Sequence, residues 1–261
     1  ITYNDIESVK KSLDEDIACL IMEPTVFEAP KPGFLEEVKE LCEKNGTLLI
    51  FDEMWTGFRM ALGGAQEFFN VTPDIATFSK ACANGMPVSI IAGKKEIMDL
   101  FDNQIFFYST FGGETLSLAA LKATIEEMRD KKVQDYYFNV GAKLKDGFNS
   151  IVKELKIDHY IKCIGYPCRS LVTIDGASAD ANALEMKTLV QQELIKRGIL
   201  WGGFHAMSYS HTEEDIDYTL KAYSEVLPLL KKAIEEKDIK QYLKGEVVQG
   251  VFKRVGQPKI S

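Results

Sequence analysis

Two polar side chains stand where apolar runs stop. Asp52 closes the run Thr47-Leu48-Leu49-Ile50-Phe51, and Lys80 follows Ile75-Ala76-Thr77-Phe78-Ser79 in the same manner. In parallel sheets, ligands bind just beyond the carboxyl ends of the strands. A carboxylate there is costly unless it meets a cation or a strong donor. Taken alone, Asp52 reads as a helix cap or one half of a salt bridge. Lys80 is followed by small residues, Ala81 to Gly85. A lysine crowded in this way can sit in a pocket where desolvation favours the free amine, which suits a Schiff-base nucleophile. Taken alone, it reads as a solvated lysine. Together, a strand-end acid and a strand-end lysine point to a cationic ring and an aldehyde between them. Pyridoxal phosphate (PLP) is such a molecule: a lysine forms the imine, and an acid keeps the pyridine nitrogen protonated.

Other catalytic patterns are missing from the sequence. It has no G-x-S-x-G elbow, no P-loop, no G-x-G-x-x-G after a strand and no H-E-x-x-H. Of the three histidines, His205 and His211 read as loop residues rather than a metal site, so no metal is expected. The five cysteines, Cys19, Cys42, Cys82, Cys163 and Cys168, make an odd count without C-x-x-C spacing. They read as free thiols, mostly buried.

The elements that must position Asp52 and Lys80 follow from hydrophobic spacing. Ile17 to Met22, Thr47 to Phe51, Ile75 to Phe78 and Val88 to Ala92 read as buried strands. Phe34 to Lys44 reads as a helix with Leu35, Val38, Leu41 and Cys42 on one face and Gly46 as its stop. Such alternation predicts a mainly parallel sheet covered on both faces. Glu114 to Arg129 is a further helix. A longer one carries Val133, Tyr137, Val140, Leu144, Phe148, Ile151 and Leu155 at spacings of three and four, and reads as a connector. Beyond it come a strand at Leu171 to Ile174, a helix at Asn182 to Arg197 and a short strand at Ile199 to Trp201. A last helix opens on Thr212 with Asp215 three residues on, a capping box with Asp in place of Glu. The expected fold is α/β, with two domains at 1–135 and 136–261.

Composition bounds the function. The 261 residues are 46% hydrophobic and 27% charged, which is ordinary for a globular chain. The balance of 31 basic against 39 acidic residues gives a net charge of −8. That leaves no electrostatic footprint for nucleic acid or an anionic membrane. The sparse basic tail of Lys253, Arg254 and Lys259 does not change this. With no apolar run of membrane-span length and no signal pattern, the expected location is cytoplasmic.

Several motifs in order then resemble one family. Asp52-Glu53-Met54-Trp55-Thr56-Gly57-Phe58-Arg59, Val71-Thr72-Pro73-Asp74-Ile75, Ser79-Lys80 and Gly85-Met86-Pro87-Val88 are similar to class III, fold type I, PLP-dependent aminotransferases. Ala61-Leu62-Gly63-Gly64-Ala65-Gln66 resembles the glutamate-1-semialdehyde aminomutase-like branch. Agreement runs from about Tyr3 to Ala123, and beyond it only the element order matches. The resemblance implies that 1–135 is the C-terminal part of a large PLP-binding domain, and that 136–261 is a connector helix and a small domain. It implies that Lys80 holds the internal aldimine and shuttles a proton between the α-carbon and C4′. Asp52 would pair with the pyridinium, and Met54 would pack beneath the ring. Ser109 and Thr110 would reach the cofactor phosphate of a partner subunit, making a homodimer with the site at its interface. Glu23 would lie near the substrate, and Arg169 is the candidate for an anionic substrate group.

Departures refine the implied reaction. Trp55 stands where the 4-aminobutyrate and ornithine branches usually carry Gln, which counts against those substrates. The Glu23 to Lys31 loop is shorter than the aminomutase pattern, and Phe111-Gly112-Gly113-Glu114-Thr115 replaces a Ser-Gly-Asn-Pro stretch. The expected activity is therefore transamination between an amino donor and a keto or aldehyde acceptor, with aminomutase chemistry as the alternative. The family's long N-terminal portion has no counterpart before Tyr3, and the chain begins with Ile1. This reads as a fragment, a processed form or one piece of a split enzyme. The corresponding rival is a non-catalytic subunit that completes a longer partner.

Overall fold

The computed structural model describes residues 1–250, so Lys253, Arg254 and Lys259 lie outside the described residues. The chain divides into two compact units, Ile1–Asn139 and Val140–Ser261.

The first unit runs through α1 (Ile6–Ser12), β1 (Cys19–Met22), α2 (Phe34–Asn45), β2 (Leu48–Asp52), α3 (Ala65–Phe68) and β3 (Ile75–Phe78). It continues with a 3-10 turn at Lys80–Ala83, β4 (Ile90–Gly93), α4 (Lys95–Met98), α5 (Leu100–Asn103) and α6 (Thr115–Asp130). The strands form one sheet in the order β1-β2-β3-β4. The first three are parallel and β4 is antiparallel to β3, so the sheet is mixed but mostly parallel. Helix α2 forms where its spacing predicts. It buries Phe34, Leu35, Val38 and Cys42, and it stops at Gly46, whose left-handed φ of 74° turns the last N–H back onto the helix. That buried stripe packs into one cluster with Leu49 and Phe51 of β2.

Cover is uneven between the two faces of this sheet. Residues alternate along a strand, and one set, including Leu49, Phe51, Ala76 and Phe78, is buried. The other set is more open: Ile50 and Ile75 are half-buried, and Ile21 is 60% exposed. An unbroken apolar run signals strand but does not say whether a layer lies on each side.

Helix α7 runs over Val133–Glu154. The second unit then carries β5 (Ile161–Tyr166), β6 (Arg169–Ile174), α8 (Ala183–Ile195), β7 (Phe204–Ala206), α9 (Glu213–Glu235) and a closing 3-10 turn at Ile239–Tyr242. Its sheet, β5-β6-β7, is antiparallel throughout. Thr212 and Asp215 form the capping box of α9. The strand expected at Ile199 to Trp201 is absent, and pairing with β6 begins later, at Phe204↔Leu171. Leu200 is 91% exposed while Trp201 is buried, so the triplet packs as an irregular segment rather than as a strand of the sheet. β5 had no sequence-based prediction.

His205 is not a loop residue. It lies buried in β7, with Nδ1 3.0 Å from the Ser170 hydroxyl and Nε2 2.8 Å from that of Tyr223. Burial pushes its pKa down to about 4. All five cysteines are free, four of them buried and Cys19 exposed.

Two predictions follow from this packing. A Cβ on Gly141 would come within 1.9 Å of the Pro167 carbonyl oxygen. Gly→Ala within a helix ordinarily gains up to about 1 kcal/mol, but here backbone must move. Gly141→Ala is expected to lose about 2 kcal/mol in urea denaturation. Gly147→Ala, which meets only the movable end of Leu220, should be milder. The second concerns acid. In the unfolded chain His205 takes a proton near its ordinary pKa of 6.5, whereas the folded state resists until about 4. Its contribution to stability is thus present above pH 6.5 and lost as pH falls toward 4. At about 1.4 kcal/mol per unit, wild type should lose about 3 kcal/mol more than His205→Gln between pH 7 and 4.

Candidate active site

Parallel register brings three strand ends to one edge of the first sheet. Met22 is level with Phe51, and Asp52 with Thr77. Glu23, Asp52 and the Ser79-Lys80 pair therefore follow one another along the carboxyl edge. Asp52 is half-buried, and its Oδ1 accepts the Met54 N–H at 2.9 Å. Its second oxygen has no hydrogen-bond partner among the described residues. Met54, also half-buried, follows directly.

Lys80 opens the 3-10 turn with a left-handed φ of 51°. Its amine makes no hydrogen bond or ion pair among the described residues. The expected crowding by small neighbours is not seen, because the turn sends Cys82 and Ala83 inward and leaves Lys80 exposed. A left-handed backbone costs an L-residue roughly 1–2 kcal/mol, which the surrounding turn must offset.

The loop after β2 is organised by Glu53, which the sequence reading did not single out. Its carboxylate is fully buried and accepts from the Thr56 hydroxyl, from Ala65 N–H at 2.7 Å and from Gln66 N–H at 2.8 Å. Burial pushes its pKa up, against the pull of those donors. Gly64, at φ 84°, leaves room for it: a Cβ there would lie 2.6 Å from the carboxylate. Gly57 is equally constrained, since its Cβ would meet the Phe78 ring at 2.4 Å. The Glu-x-x-Thr spacing and the Gly63-Gly64 pair ahead of a short helix were the available signals. Within the same loop Trp55 is buried, stacks on Phe27 and donates its indole N–H to Glu23. Glu23 itself is exposed.

A second feature borders the turn at Lys80. A cleft of about 440 Å³ is lined by Ser79, Val88, Ser109, Gly112 and Glu114, among others. Glu114 caps α6 by accepting from Leu116 and Ser117 N–H groups. Ser109 lines this cleft, whereas Thr110 lies exposed in the adjacent turn. Phe106, Tyr108 and Phe111 nearby in sequence are largely exposed. Arg169 belongs to the second unit, where it begins β6, half-buried, with its guanidinium 5.6 Å from the Phe204 ring centre. Among the described residues, no group of three His, Cys, Asp or Glu is placed to hold a metal ion.

The Glu53 arrangement predicts an outcome. Glu53→Gln turns an amide nitrogen toward one of three inward donors, and hydrogen bonds to charged groups contribute about 1.5–3 kcal/mol each. A loss of about 2 kcal/mol in denaturant unfolding is expected. Glu23→Gln, at an exposed position, should stay within about 0.5 kcal/mol of wild type.

Comparison with known proteins identifies the family. Residues 1–227 match the family described as Aminotransferase class-III. The chain is 36% identical over 239 residues to a glutamate-1-semialdehyde 2,1-aminomutase 2 of Brevibacillus brevis, covering 85% of this chain and 56% of that protein. It is 34% identical over 243 residues to a 3-aminobutyryl-CoA aminotransferase of Cloacimonas acidaminovorans, covering 89% and 58% respectively. In fold it superposes on the FumI protein of Sphingopyxis sp. MTA144, solved in its PLP internal aldimine form, with a TM-score of 0.81 at 22% identity. That match covers 90% of this chain and 57% of the other. The chain thus spans a little over half the length of these relatives. Its motifs, its mostly parallel sheet and the match across residues 1–227 agree, and the chain belongs to the class III aminotransferases.

Proposed function

We propose that this chain serves a PLP-dependent aminotransferase, moving an amino group from an amino donor to a keto or aldehyde acceptor. The observation that carries the reading is a pair of unspent groups on neighbouring parallel strands. The free amine of Lys80 follows β3, and the unpartnered second oxygen of Asp52 ends β2. An aldehyde-bearing pyridine needs such a donor set, so the residues present fit PLP. Bound there, PLP supplies a sink for the electron pair released at the substrate α-carbon.

The chain's own residues take these parts. Lys80 would hold the cofactor through its amine, and would move a proton to and from the substrate α-carbon. Asp52 would hold the ring nitrogen through its second oxygen, while the Met54 N–H fixes the first. Met54 would line the seat of the ring. The Ser109 and Thr110 hydroxyls reach the phosphate in a partner copy, and the exposed Phe106, Tyr108 and Phe111 favour burial against that copy. Glu23 contributes to substrate binding, as does Arg169 through its carboxylate-matching fork.

In this reading, residues up to about 135 belong to the large cofactor domain, and those from 136 onward form the connector helix and small domain. The assembly is a cytoplasmic homodimer. No helix among the described residues is long and apolar enough to cross a membrane. A glutamate-1-semialdehyde type aminomutase is the second reading, favoured by the 36% identity to a relative of that name. The two differ in whether the amino group leaves the product molecule.

The test is borohydride reduction in the presence of PLP, followed by peptide mapping. One stable phosphopyridoxyl adduct on Lys80, lost in Lys80→Ala, is the expected result. Label scattered over surface lysines, or equal uptake by the variant, would overturn the assignment.

A further inference from the structure

Phe78↔Ile90 is the last backbone rung between β3 and β4. One step further the ladder stops and a side chain takes over. The Ser79 hydroxyl donates to the Val88 carbonyl at 2.7 Å, joining the two ends of the loop 80–87. Ser79 is itself extended, with a φ of −166°, and its carbonyl accepts the Cys82 N–H at 3.3 Å. It is the residue on which the chain changes from strand to turn.

That change decides what becomes of Lys80. Side chains alternate along a strand, and Ala76 and Phe78 are buried. A strand continued by two residues would send Lys80 to the same side. Lys80 instead has a φ of 51° and is exposed. Asn84 and Gly85 in the same loop are also left-handed, at φ 48° and 100°, but they are residue types that accept this conformation. Lysine is not, so its backbone must be held by what flanks it. Buried Cys82 and Ala83 anchor the turn on one side, and the Ser79–Val88 bond anchors it on the other.

We propose that Ser79 is a positioning residue for the proposed reaction. Its hydroxyl, bound to Val88, holds the left-handed backbone of Lys80 and so keeps the lysine amine outside the sheet edge, where an aldehyde can meet it. This rests on the reading of Lys80 as the lysine that takes PLP. Ser79 acts through Lys80 rather than on cofactor or substrate. When the competent geometry is held in only a fraction of the molecules, apparent affinity falls by that fraction. Loss of the bond therefore shows in the backbone of the unloaded chain and again in its affinity for PLP.

The experiment compares wild type with Ser79→Ala, which deletes the donor, and Ser79→Thr, which keeps it. Ser79→Val, the shape of Thr without the hydroxyl, repeats the deletion should Ala unsettle the packing. Ser89→Ala is the control, in the same cleft but at a side chain without a hydrogen bond among the described residues. The first readout is the intraresidue amide-to-Hα cross-peak of Lys80 in the chain without PLP, which is strong only at positive φ. It is expected to be strong in wild type, Ser79→Thr and Ser89→Ala, and weakened in Ser79→Ala and Ser79→Val. The second is the PLP concentration that half-saturates the Lys80 adduct after borohydride. It should rise roughly two- to tenfold in Ser79→Ala and Ser79→Val and stay within about twofold of wild type in the other two, with labelling of the remaining lysines unchanged. A cross-peak undiminished in Ser79→Ala and Ser79→Val overturns the proposal. So does an unchanged PLP affinity in those variants, or a Ser79→Thr that behaves like them. Label scattered over surface lysines in wild type, with the cross-peak changes intact, would strike the PLP reading and leave Ser79 as the residue that sets the Lys80 backbone.

Discussion

A carboxylate that points inward holds the carboxyl edge of the first sheet in order. Glu53 continues β2 past its last paired residue, and its side chain ties the strand end to Thr56 and to the opening N–H groups of α3. Its own N–H reaches the Thr77 carbonyl on β3 at 3.0 Å. Because side chains alternate along an extended chain, burying Glu53 sends Asp52 to the opposite, more open side. The orientation of Asp52 is therefore a by-product of where Glu53 finds its donors. The two glycines of the loop make sense in the same terms, one yielding space to the carboxylate and the other to the Phe78 ring.

The two units handle polar groups in opposite ways. At the edge of the first sheet, Lys80 and one oxygen of Asp52 are left without partners among the described residues, available to something that is not protein. Inside the second unit, Ser170, His205 and Tyr223 satisfy one another, with the Phe148 ring packed edge-on against Tyr223. A buried imidazole held between two hydroxyls stays neutral at ordinary pH and gives the antiparallel sheet a fixed register with α9. Such networks are stable only when complete.

Much of this was legible in the sequence, for a definite reason. Asp52 and Lys80 stand out because a polar residue ending an apolar run is a one-dimensional signal. Helix α2 and the capping box of α9 were equally local, resting on spacings of three and four. What the sequence hid was non-local. Glu53 finds its backbone donors 12 and 13 residues away, and nothing in an unfolded reading joins those positions. The triplet Ile199 to Trp201 has strand composition, yet Gly203 and Phe204 are what meet β6. His205 looked like loop because its partners lie in β6 and α9, 35 and 18 residues distant. The exposure of Lys80 depends on a left-handed backbone that its residue type does not announce.

The half-open face of the first sheet also governs how copies of this chain behave in a crowd. Exposed Ile21, beside half-buried Ile50 and Ile75, gives this face an apolar patch, while a net charge of −8 repels like copies. These opposing forces differ in range. Electrostatic repulsion extends about 8–10 Å at physiological ionic strength and contracts as salt is added, whereas the apolar attraction acts only at contact. Colloidal stability of the chain is thus set by the thickness of its ion atmosphere.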